Sequence, residues 1–315
     1  MLHLGRISPL SPLYSSDIHH IAPQKVLLLN MKVYKFGGTS VGSPERMKEV
    51  SRLITEDGEP KVVVLSAMSG TTNSLVEIAD YLRKGNPEGA SNMVNRLHNL
   101  YKQHLPLLYS KEETTTKVRE RLDDIFLQLH EFRTREFSEA DEKAILAKEI
   151  LSKGEIMSTN MVTEYLKECG VKAILLPALD YMRLDVNGEP DLPYIRERLA
   201  YLLDKNPNYD IYITQGFICR NADGQIDNLQ RGGSDYTASL IGAAIRANEI
   251  QIWTDIDGMH NNDPRFVEGT TPVRQLNFEE AAELAYFGAK ILHPTCVQPA
   301  RYAGVPVRLK NTMDP

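Results

Sequence analysis

The stretch KFGGTS, at residues 35–40, follows an alternating apolar run at residues 31–34 and precedes Ser43 and Pro44. Ser43 can cap the free amides of a helix, and Pro44 needs no N–H at the first helical position. The stretch therefore predicts a strand, a glycine turn and a helix. Two adjacent glycines let backbone N–H groups approach an anion, and the helix start adds partial positive charge. The ammonium of Lys35 can reach the same anion.

This pattern differs from the common nucleotide motifs. A Walker loop carries its lysine after the glycines, and a dinucleotide fingerprint needs the spacing GxGxxG, which Gly37, Gly38 and Gly42 do not provide. A glycine pair after a strand also occurs in ordinary tight turns. Taken alone, the first glycine turn leaves a phosphate site and a plain turn both open.

Composition bounds the class of protein. The 315 residues are 42% hydrophobic and 25% charged, values typical of a globular chain with a large core. The net charge of −6, without a basic block, argues against nucleic-acid binding. No apolar run approaches the roughly 20 residues of a membrane helix. We expect no membrane association.

The number and spacing of the cysteines indicate the cellular compartment of the protein. The three cysteines are odd in number and far apart, which favours a reduced, cytoplasmic protein in which each is a small buried hydrophobe. They are Cys169, Cys219 and Cys296.

Residues 1–30 are rich in Ser, Pro and His and carry a single arginine. We expect them to be a disordered extension, with the fold beginning at Met31.

Repeated strand–helix units predict the fold class. A buried strand at residues 61–65 ends in a loop of small hydroxyl and glycine residues, and a helix follows. Residues 88–168 read as almost entirely helical, and further strands are expected at residues 171–176, 210–215 and 249–254. This alternation predicts an α/β fold with a mostly parallel central sheet and ligands at the carboxyl ends of its strands.

Glu155 has an ordinary structural explanation. Residues 152–159 predict the opening of a helix that ends at Glu168, with Glu155 near its N-terminus. A carboxylate there is favoured by the helix dipole. Local sequence alone therefore does not require a functional role for Glu155.

A second glycine turn lies in the stretch QRGGSD, at residues 230–235, before an apolar helix. Ser234 and Asp235 could merely cap that helix. Two glycine turns in one chain, each with a cation beside it, are less easily explained by turns alone. The acidic loop at residues 254–265 has misplaced Gly and Glu positions for an EF-hand, so calcium is not expected.

Together these segments resemble the aspartate kinases of the amino-acid kinase family. The matching segments are residues 35–41, 66–73, 154–155, 231–235, 253–258 with 263–265, and 287–294. They occur in the family's order and cover residues 31 to about 311. The resemblance implies a three-layer α/β/α sandwich, with an aspartate-binding lobe at about 31–205 and a nucleotide-binding lobe at about 206–315.

The resemblance also implies the chemistry. The expected enzyme is a phosphotransferase that moves the γ-phosphate of Mg-ATP to the β-carboxylate of L-aspartate, giving 4-phospho-L-aspartate and ADP. This is the first step of lysine, threonine and methionine biosynthesis. A carboxylate nucleophile, with an ordinary pKa of ~3.9, is already ionised and needs no general base. Magnesium should be held mainly by phosphates and water, so no protein metal ligand is assigned.

Three sets of site residues follow from the resemblance. The catalytic set is Lys35, Asp235 and Lys290. The substrate-binding set is Thr72, Glu155, Arg231 and Ser234, with Arg231 paired to the α-carboxylate and Glu155 to the α-ammonium. The nucleotide-binding set is Lys35, Gly37, Gly38, Thr39, Ser40, Thr254, Asp255, His260, Arg265, Lys290 and Ile291.

Some features depart from the family pattern. Gln230 stands where the family usually has Gly, and His260 where Tyr is common. We expect no ACT regulatory domain within residues 1–315, and we expect the full-length protein to be a homo-oligomer. Two alternatives stay open: a related kinase of glutamate, acetylglutamate or uridylate, or a non-catalytic sensor with the same fold. Retention of Lys35, Lys290 and Asp235 argues against the sensor.

Overall fold

The computed structural model describes residues 31–135, 140–229, 232–255, 258, 260–262, 267–286 and 293–314. The expected disordered extension, residues 1–30, lies outside the described residues. The same holds for five residues of the predicted site and its neighbourhood, Gln230, Arg231, Arg265, Lys290 and Ile291.

The described chain contains a parallel sheet and a small hairpin. The strands are β1 Lys32–Phe36, β2 Lys61–Leu65, β3 Ala173–Leu175, β4 Ile211–Gln215, β5 Ile218–Arg220, β6 Ile226–Asn228, β7 Glu249–Thr254 and β8 Val307–Asn311. Six of them form one sheet in the order β3-β4-β2-β1-β7-β8, and every pairing in it is parallel. Strands β5 and β6 pair antiparallel as a separate hairpin.

Helices alternate with these strands and cover both faces of the sheet. They are α1 Pro44–Thr55, α2 Thr71–Arg83, α3 Pro87–Leu108, α4 Glu112–Glu131, α5 Ala140–Glu168, α6 Leu192–Lys205, α7 Gly233–Ile245, α8 Phe278–Tyr286 and α9 Gln298–Ala303. Short 3-10 turns lie at Phe132–Thr134, Ala178–Asp180 and Pro294–Val297.

Two separate hydrophobic cores show the three layers. Successive strand side chains point to opposite faces, so Tyr34 and Val63 pack with α1 to α5, whereas Val33 and Val62 pack with α6, α7 and α9. Strand β2 is buried along its whole length, as expected for a parallel strand covered on both sides. The expected α/β/α sandwich is confirmed. Its division into two lobes near residue 205 stays a prediction.

Several local expectations are confirmed. Ser43 caps α1 and accepts the N–H of Arg46, with Pro44 at the first position. The long helical region is divided into α3, α4 and α5. Along α4, apolar side chains recur at helical spacing, and they are buried because they face the core.

Two expectations are wrong. Glu155 does not lie near a helix N-terminus: α5 begins fifteen residues earlier, at Ala140, so Glu155 sits in mid-helix and the dipole explanation fails. Local sequence missed this because no proline or glycine turn marks the true start. Cys169 is exposed, since it follows the end of α5 in the turn that precedes Gly170, whereas Cys219 and Cys296 are buried.

The topology indicates where a ligand can bind. Strand β1 lies between β2 and β7, and the chain leaves it toward β2 but returns to its other side only after α7. Ligands of open α/β sheets bind beyond the carboxyl ends of the strands where the order changes in this way. That edge carries the KFGGTS turn.

Candidate functional site

The first glycine turn begins where β1 ends. The N–H of Ser40 donates to the carbonyl of Gly37 at 3.0 Å, which closes the turn. A Cβ at Gly38 would lie 2.9 Å from the carbonyl oxygen of Ala67, so only glycine allows this approach. The N–H of Ser69 donates to the carbonyl of Gly38 at 3.2 Å. The glycine turn and the loop after β2 are therefore held together through their backbones.

Lys35 and Asp235 form the charged centre of this edge. Lys35 Nζ lies 2.8 Å from Asp235 Oδ1, and their side chains are only 12% and 18% exposed. Asp235 comes from the first turn of α7. A Cβ at Gly37 would be 3.5 Å from Lys35 Nζ, so the ammonium lies directly beside the glycine turn. The pair places a positive charge next to the first glycine turn.

Glu155 is brought to the cleft by close packing of α5. A Cβ at Gly154 would lie 2.8 Å from the Cβ of Ala67, so glycine lets the helix touch the loop after β2. The N–H of Ala67 donates to Glu155 Oε1 at 3.2 Å, and Ser158 Oγ donates to the carbonyl of Ser66 at 2.8 Å. These contacts fix the carboxylate against the cleft wall.

The protonation of Glu155 is unusual. The side chain is 5% exposed, and burial raises the pKa of Glu155 to about 7 although the amide of Ala67 opposes the shift. Within the part of the chain that the structure describes, no cation is among the causes of the shift. A ligand ammonium placed beside Glu155 would favour its ionised form. The site is thus suited to an amine-bearing ligand.

The second glycine turn is more tightly packed than the first. Gly232 holds the cap position of α7 in a left-handed conformation, with φ of +70° and no side-chain cap. A Cβ at Gly233 would lie 2.5 Å from Phe217 Cδ2. Ser234 and Asp235 therefore lie inside the first helical turn and do not cap the helix. Ser66 Oγ donates to Ser234 Oγ at 3.0 Å, which joins this turn to the loop after β2.

These segments enclose one cleft of about 280 Å³. It is lined by Gly38, Ser66, Ala67, Met68, Ser69, Gly70, Thr72, Glu155, Phe217, Gly233 and Ser234. Gly38, Thr72, Glu155 and Ser234 are thus brought together as predicted, and Lys35, Gly37 and Asp235 lie at the same edge of the sheet. A volume of this order suits a small polar metabolite.

The predicted nucleotide residues continue along the carboxyl edge. Thr254 ends β7, and its neighbour Trp253 pairs with Phe36 of β1, so Thr254 lies beside the first glycine turn. Asp255 is exposed and accepts the hydroxyl of Thr254 at 3.1 Å.

Three further members of the predicted nucleotide set have different surroundings. Thr39 is exposed, whereas Ser40 is buried. His260 is 7% exposed and contacts Thr270 through Nδ1 at 3.1 Å, farther along the chain.

Several lining residues were not predicted individually. Ser66 to Gly70 belong to the hydroxyl- and glycine-rich loop after β2, and that composition was the available signal. Phe217 gave none: it follows β4 with a positive φ of 68°, held by the hydroxyl of Thr237, which accepts its N–H at 3.0 Å. Its place in the cleft depends on α7, which lies later in the chain.

Metal and membrane features can be tested on the same structure. Among the described residues, no group of three or more His, Cys, Asp or Glu side chains is arranged to hold a metal ion. In that same part of the chain, no helix is both long and apolar enough to cross a bilayer.

Known proteins match nearly the whole of the chain from residue 30 onward. The sequence model of the amino acid kinase family matches residues 30–311. The lysine-sensitive aspartokinase 3 of Escherichia coli is 35% identical over 286 residues, covering 90% of this chain and 62% of its own length. Aspartokinase 1, chloroplastic, of Arabidopsis thaliana is 38% identical over 299 residues, covering 90% of this chain and 50% of its own length.

The solved structures agree with this relationship. The crystal structure of E. coli aspartokinase III in complex with aspartate and ADP superposes with a TM-score of 0.79 at 33% identity, covering 90% of this chain and 62% of that one. The chain therefore spans about half to three fifths of the length of these relatives.

Proposed function

The chain belongs to the amino acid kinase family, and we propose that it is an aspartate kinase. In this proposal it transfers the γ-phosphate of ATP to the β-carboxylate of L-aspartate. The relatives named above as aspartokinases support this acceptor, as does the aspartate and ADP bound in one of them.

One observation carries the proposal: the Lys35–Asp235 pair joins the two glycine turns, and residues of both turns line one cleft together with Glu155. Transfer of a phosphoryl group needs positive charge and fixed donors around a crowded set of anions. Lys35 supplies the charge, and the amides of the first glycine turn supply donors without adding bulk. Asp235 holds the ammonium in place and is itself engaged by Lys35. It does not act as a base, and an ionised acceptor needs none.

The acceptor would lie between the loop after β2 and α5. Glu155 is proposed to pair with the α-ammonium of aspartate. This would explain a buried carboxylate whose pKa shift has no cation among its causes in the described residues. Thr72 and Ser234 line the same space. Arg231 is proposed to receive the α-carboxylate as a bidentate partner. These roles leave the β-carboxylate free to face Lys35.

The nucleotide would lie along the first glycine turn and the end of β7. Gly37, Gly38, Thr39 and Ser40 would meet its phosphates, and the remaining proposed contacts are Thr254, Asp255, His260, Arg265, Lys290 and Ile291. Magnesium fits the described residues only as an ion that takes most of its ligands from phosphate and water. When bound, it would neutralise phosphate charge. A cytoplasmic location and a homo-oligomeric full-length protein complete the proposal.

An acceptor panel tests the proposal directly. Purified protein with Mg-ATP is assayed for ADP release with L-aspartate, L-glutamate, N-acetyl-L-glutamate and UMP, each at matched concentration. We expect release with L-aspartate only. N-acetyl-L-glutamate and UMP lack the free amine that is proposed to pair with Glu155, and the side-chain carboxylate of L-glutamate would lie one methylene beyond the position proposed to face Lys35.

The control is Lys35→Ala, which should remove aspartate-dependent release while nucleotide-independent properties such as the melting temperature stay close to those of the wild type. Release with L-glutamate, N-acetyl-L-glutamate or UMP, but not with L-aspartate, would assign a different kinase. Binding of nucleotide and amino acid without any release would assign a sensor.

A further inference from the structure

Thr312 lies just beyond β8 and connects two parts of the proposed nucleotide site. It is 3% exposed. Its Oγ1 shares a hydrogen bond of 2.8 Å with Ser40 Oγ, at the end of the first glycine turn. Its N–H donates to the carbonyl of Thr254 at 2.7 Å, at the end of β7. One residue therefore holds two segments that are separated by more than 200 positions in sequence.

The hydroxyl pair is buried on both sides. Ser40 is 1% exposed, so neither hydroxyl can exchange its partner for bulk water. Removing one of the two buried partners leaves the other without a hydrogen bond, and an unsatisfied buried polar group is unfavourable. The turn therefore has a strong preference for the position in which Ser40 meets Thr312.

The position of Ser40 in turn determines the positions of the two glycines. Its own N–H closes the turn on the carbonyl of Gly37 at 3.0 Å, and the N–H of Val41 reaches the same carbonyl at 3.3 Å. Any shift of Ser40 therefore changes where the Gly37 and Gly38 amides point. Thr254 is held independently through its backbone. The pairing of β1 with β7 brings the two segments side by side, and Thr312 adds a direct link between the last residue of the glycine turn and the end of β7.

We propose that Thr312 is a positioning residue for nucleotide binding: it aligns the first glycine turn with the end of β7. This rests on the proposed function in one respect only, the location of the nucleotide along these two segments. Thr312 itself contacts neither reacting atom. It acts by raising the fraction of molecules in which both segments are ready to bind. The apparent affinity for nucleotide is proportional to that fraction, so losing the Thr312 contact should lower the affinity.

The test compares Thr312→Val, Thr312→Ser and the wild type. Valine keeps the shape and the backbone N–H but removes the hydroxyl, whereas serine keeps the hydroxyl. Isothermal titration calorimetry with Mg-ADP gives the dissociation constant, and steady-state assays give separate KM values for ATP and aspartate. Thr115→Val is the matched control, because Thr115 is a buried threonine of α4 whose hydroxyl bonds only to the Lys111 carbonyl in its own helix.

We expect Thr312→Val to raise the dissociation constant for Mg-ADP and the KM for ATP by about five- to tenfold. The KM for aspartate should change less than twofold. Thr312→Ser and Thr115→Val should bind Mg-ADP within twofold of the wild type. A Thr312→Val protein that melts at a lower temperature but binds Mg-ADP normally would overturn the inference, because a purely structural tether predicts that result. An equal rise in both KM values would overturn it too.

Failure of the proposed function gives a different pattern. If the wild type binds Mg-ADP and releases no ADP from ATP with aspartate, the acceptor assignment fails. A weakened Mg-ADP affinity of Thr312→Val would then still support the positioning role.

Discussion

At Gly37 an added Cβ would lie 3.5 Å from Lys35 Nζ, an ordinary contact, whereas at Gly233 it would lie 2.5 Å from Phe217 Cδ2. Gly37 is also not among the glycines with a positive φ. The second glycine turn must therefore be glycine for the protein to pack. The first turn holds one glycine, Gly38, that packing requires, and one, Gly37, that it does not. The space beside Gly37 is not needed for packing. A phosphate group bound next to Lys35 would require such open space.

The largest expected effect tests the charge of the open turn. Lys35→Ala should lower kcat by at least about a hundredfold, because one preorganised electrostatic donor to the transferring group is lost. The matched control is Lys32→Ala, on the same strand, whose ion pairs with Asp57 and Glu59 lie away from the cleft. In steady-state assays, kcat should fall in Lys35→Ala and stay close to the wild-type value in Lys32→Ala. A near-normal kcat in Lys35→Ala would contradict the view that the first glycine turn serves catalysis while the second serves packing.

The next test concerns the two glycines of the first turn. Gly37→Ala should fold with an almost unchanged melting temperature yet lose about ten- to hundredfold in kcat/KM for ATP, because a methyl group fills space next to the ammonium. Gly38→Ala and Gly233→Ala should instead lose stability by roughly 1–3 kcal/mol, since their Cβ atoms collide with neighbouring atoms.

Thermal melts and ATP titrations measured on the same three preparations decide this. The comparison of the two turns fails if Gly37→Ala unfolds as readily as Gly233→Ala.

These residues also show how far sequence reasoning reached. The strand, glycine turn and helix around residues 35–55 were predictable because local signals, a capping Ser43 and a Pro44, act within a few positions. The convergence of Lys35 with Asp235 was implied only by resemblance, since it depends on β1 lying next to β7. No local pattern places Phe217 or Thr312, because their neighbours are far along the chain.

Glu155 is the clearest case of a misleading local signal. Hydroxyl residues before and after it resemble a helix opening, but the helix had begun at Ala140. What matters at Glu155 is tertiary: Gly154 lets α5 approach Ala67, and that approach buries the carboxylate. Burial, and not position within the helix, determines its pKa.

A third prediction therefore concerns pH. The pKa of Glu155 is raised from 4.5 to about 7, so between these values the folded protein retains a proton that the unfolded chain has released. Stability falls as pH rises through this interval, and the penalty is fully present above pH 7. Glu155→Gln should hence be more stable than the wild type at pH 8, by about 1–3 kcal/mol.

The same substitution should remove aspartate binding. In the wild type, the KM for aspartate should rise as pH falls below about 7, because the protonated carboxyl no longer pairs with the substrate ammonium. Denaturant melts at pH 5 and pH 8, with KM values across this range, test both parts. A Glu155→Gln variant that is less stable at pH 8 and has a normal KM for aspartate would contradict the assignment.

The smallest expected effect concerns the hairpin that leads into the second glycine turn. Lys148 of α5 contacts Asp227 of β6 at 2.7 Å, with exposed fractions of 40% and 14%. The pair ties the helix that carries Glu155 to the hairpin before Arg231. Because it is partly solvated, Lys148→Ala should raise the KM for aspartate by only about two- to threefold, without changing the KM for ATP. A larger change in the KM for ATP would show that the hairpin serves the other turn.

The central claim is that this cleft makes an acyl phosphate on a small amino diacid. Hydroxamate trapping measures this product directly: wild-type protein, Mg-ATP, L-aspartate and hydroxylamine should yield aspartyl β-hydroxamate in step with ADP, and Lys35→Ala should yield almost none. ADP release without hydroxamate, or equal hydroxamate from Lys35→Ala, would contradict the account.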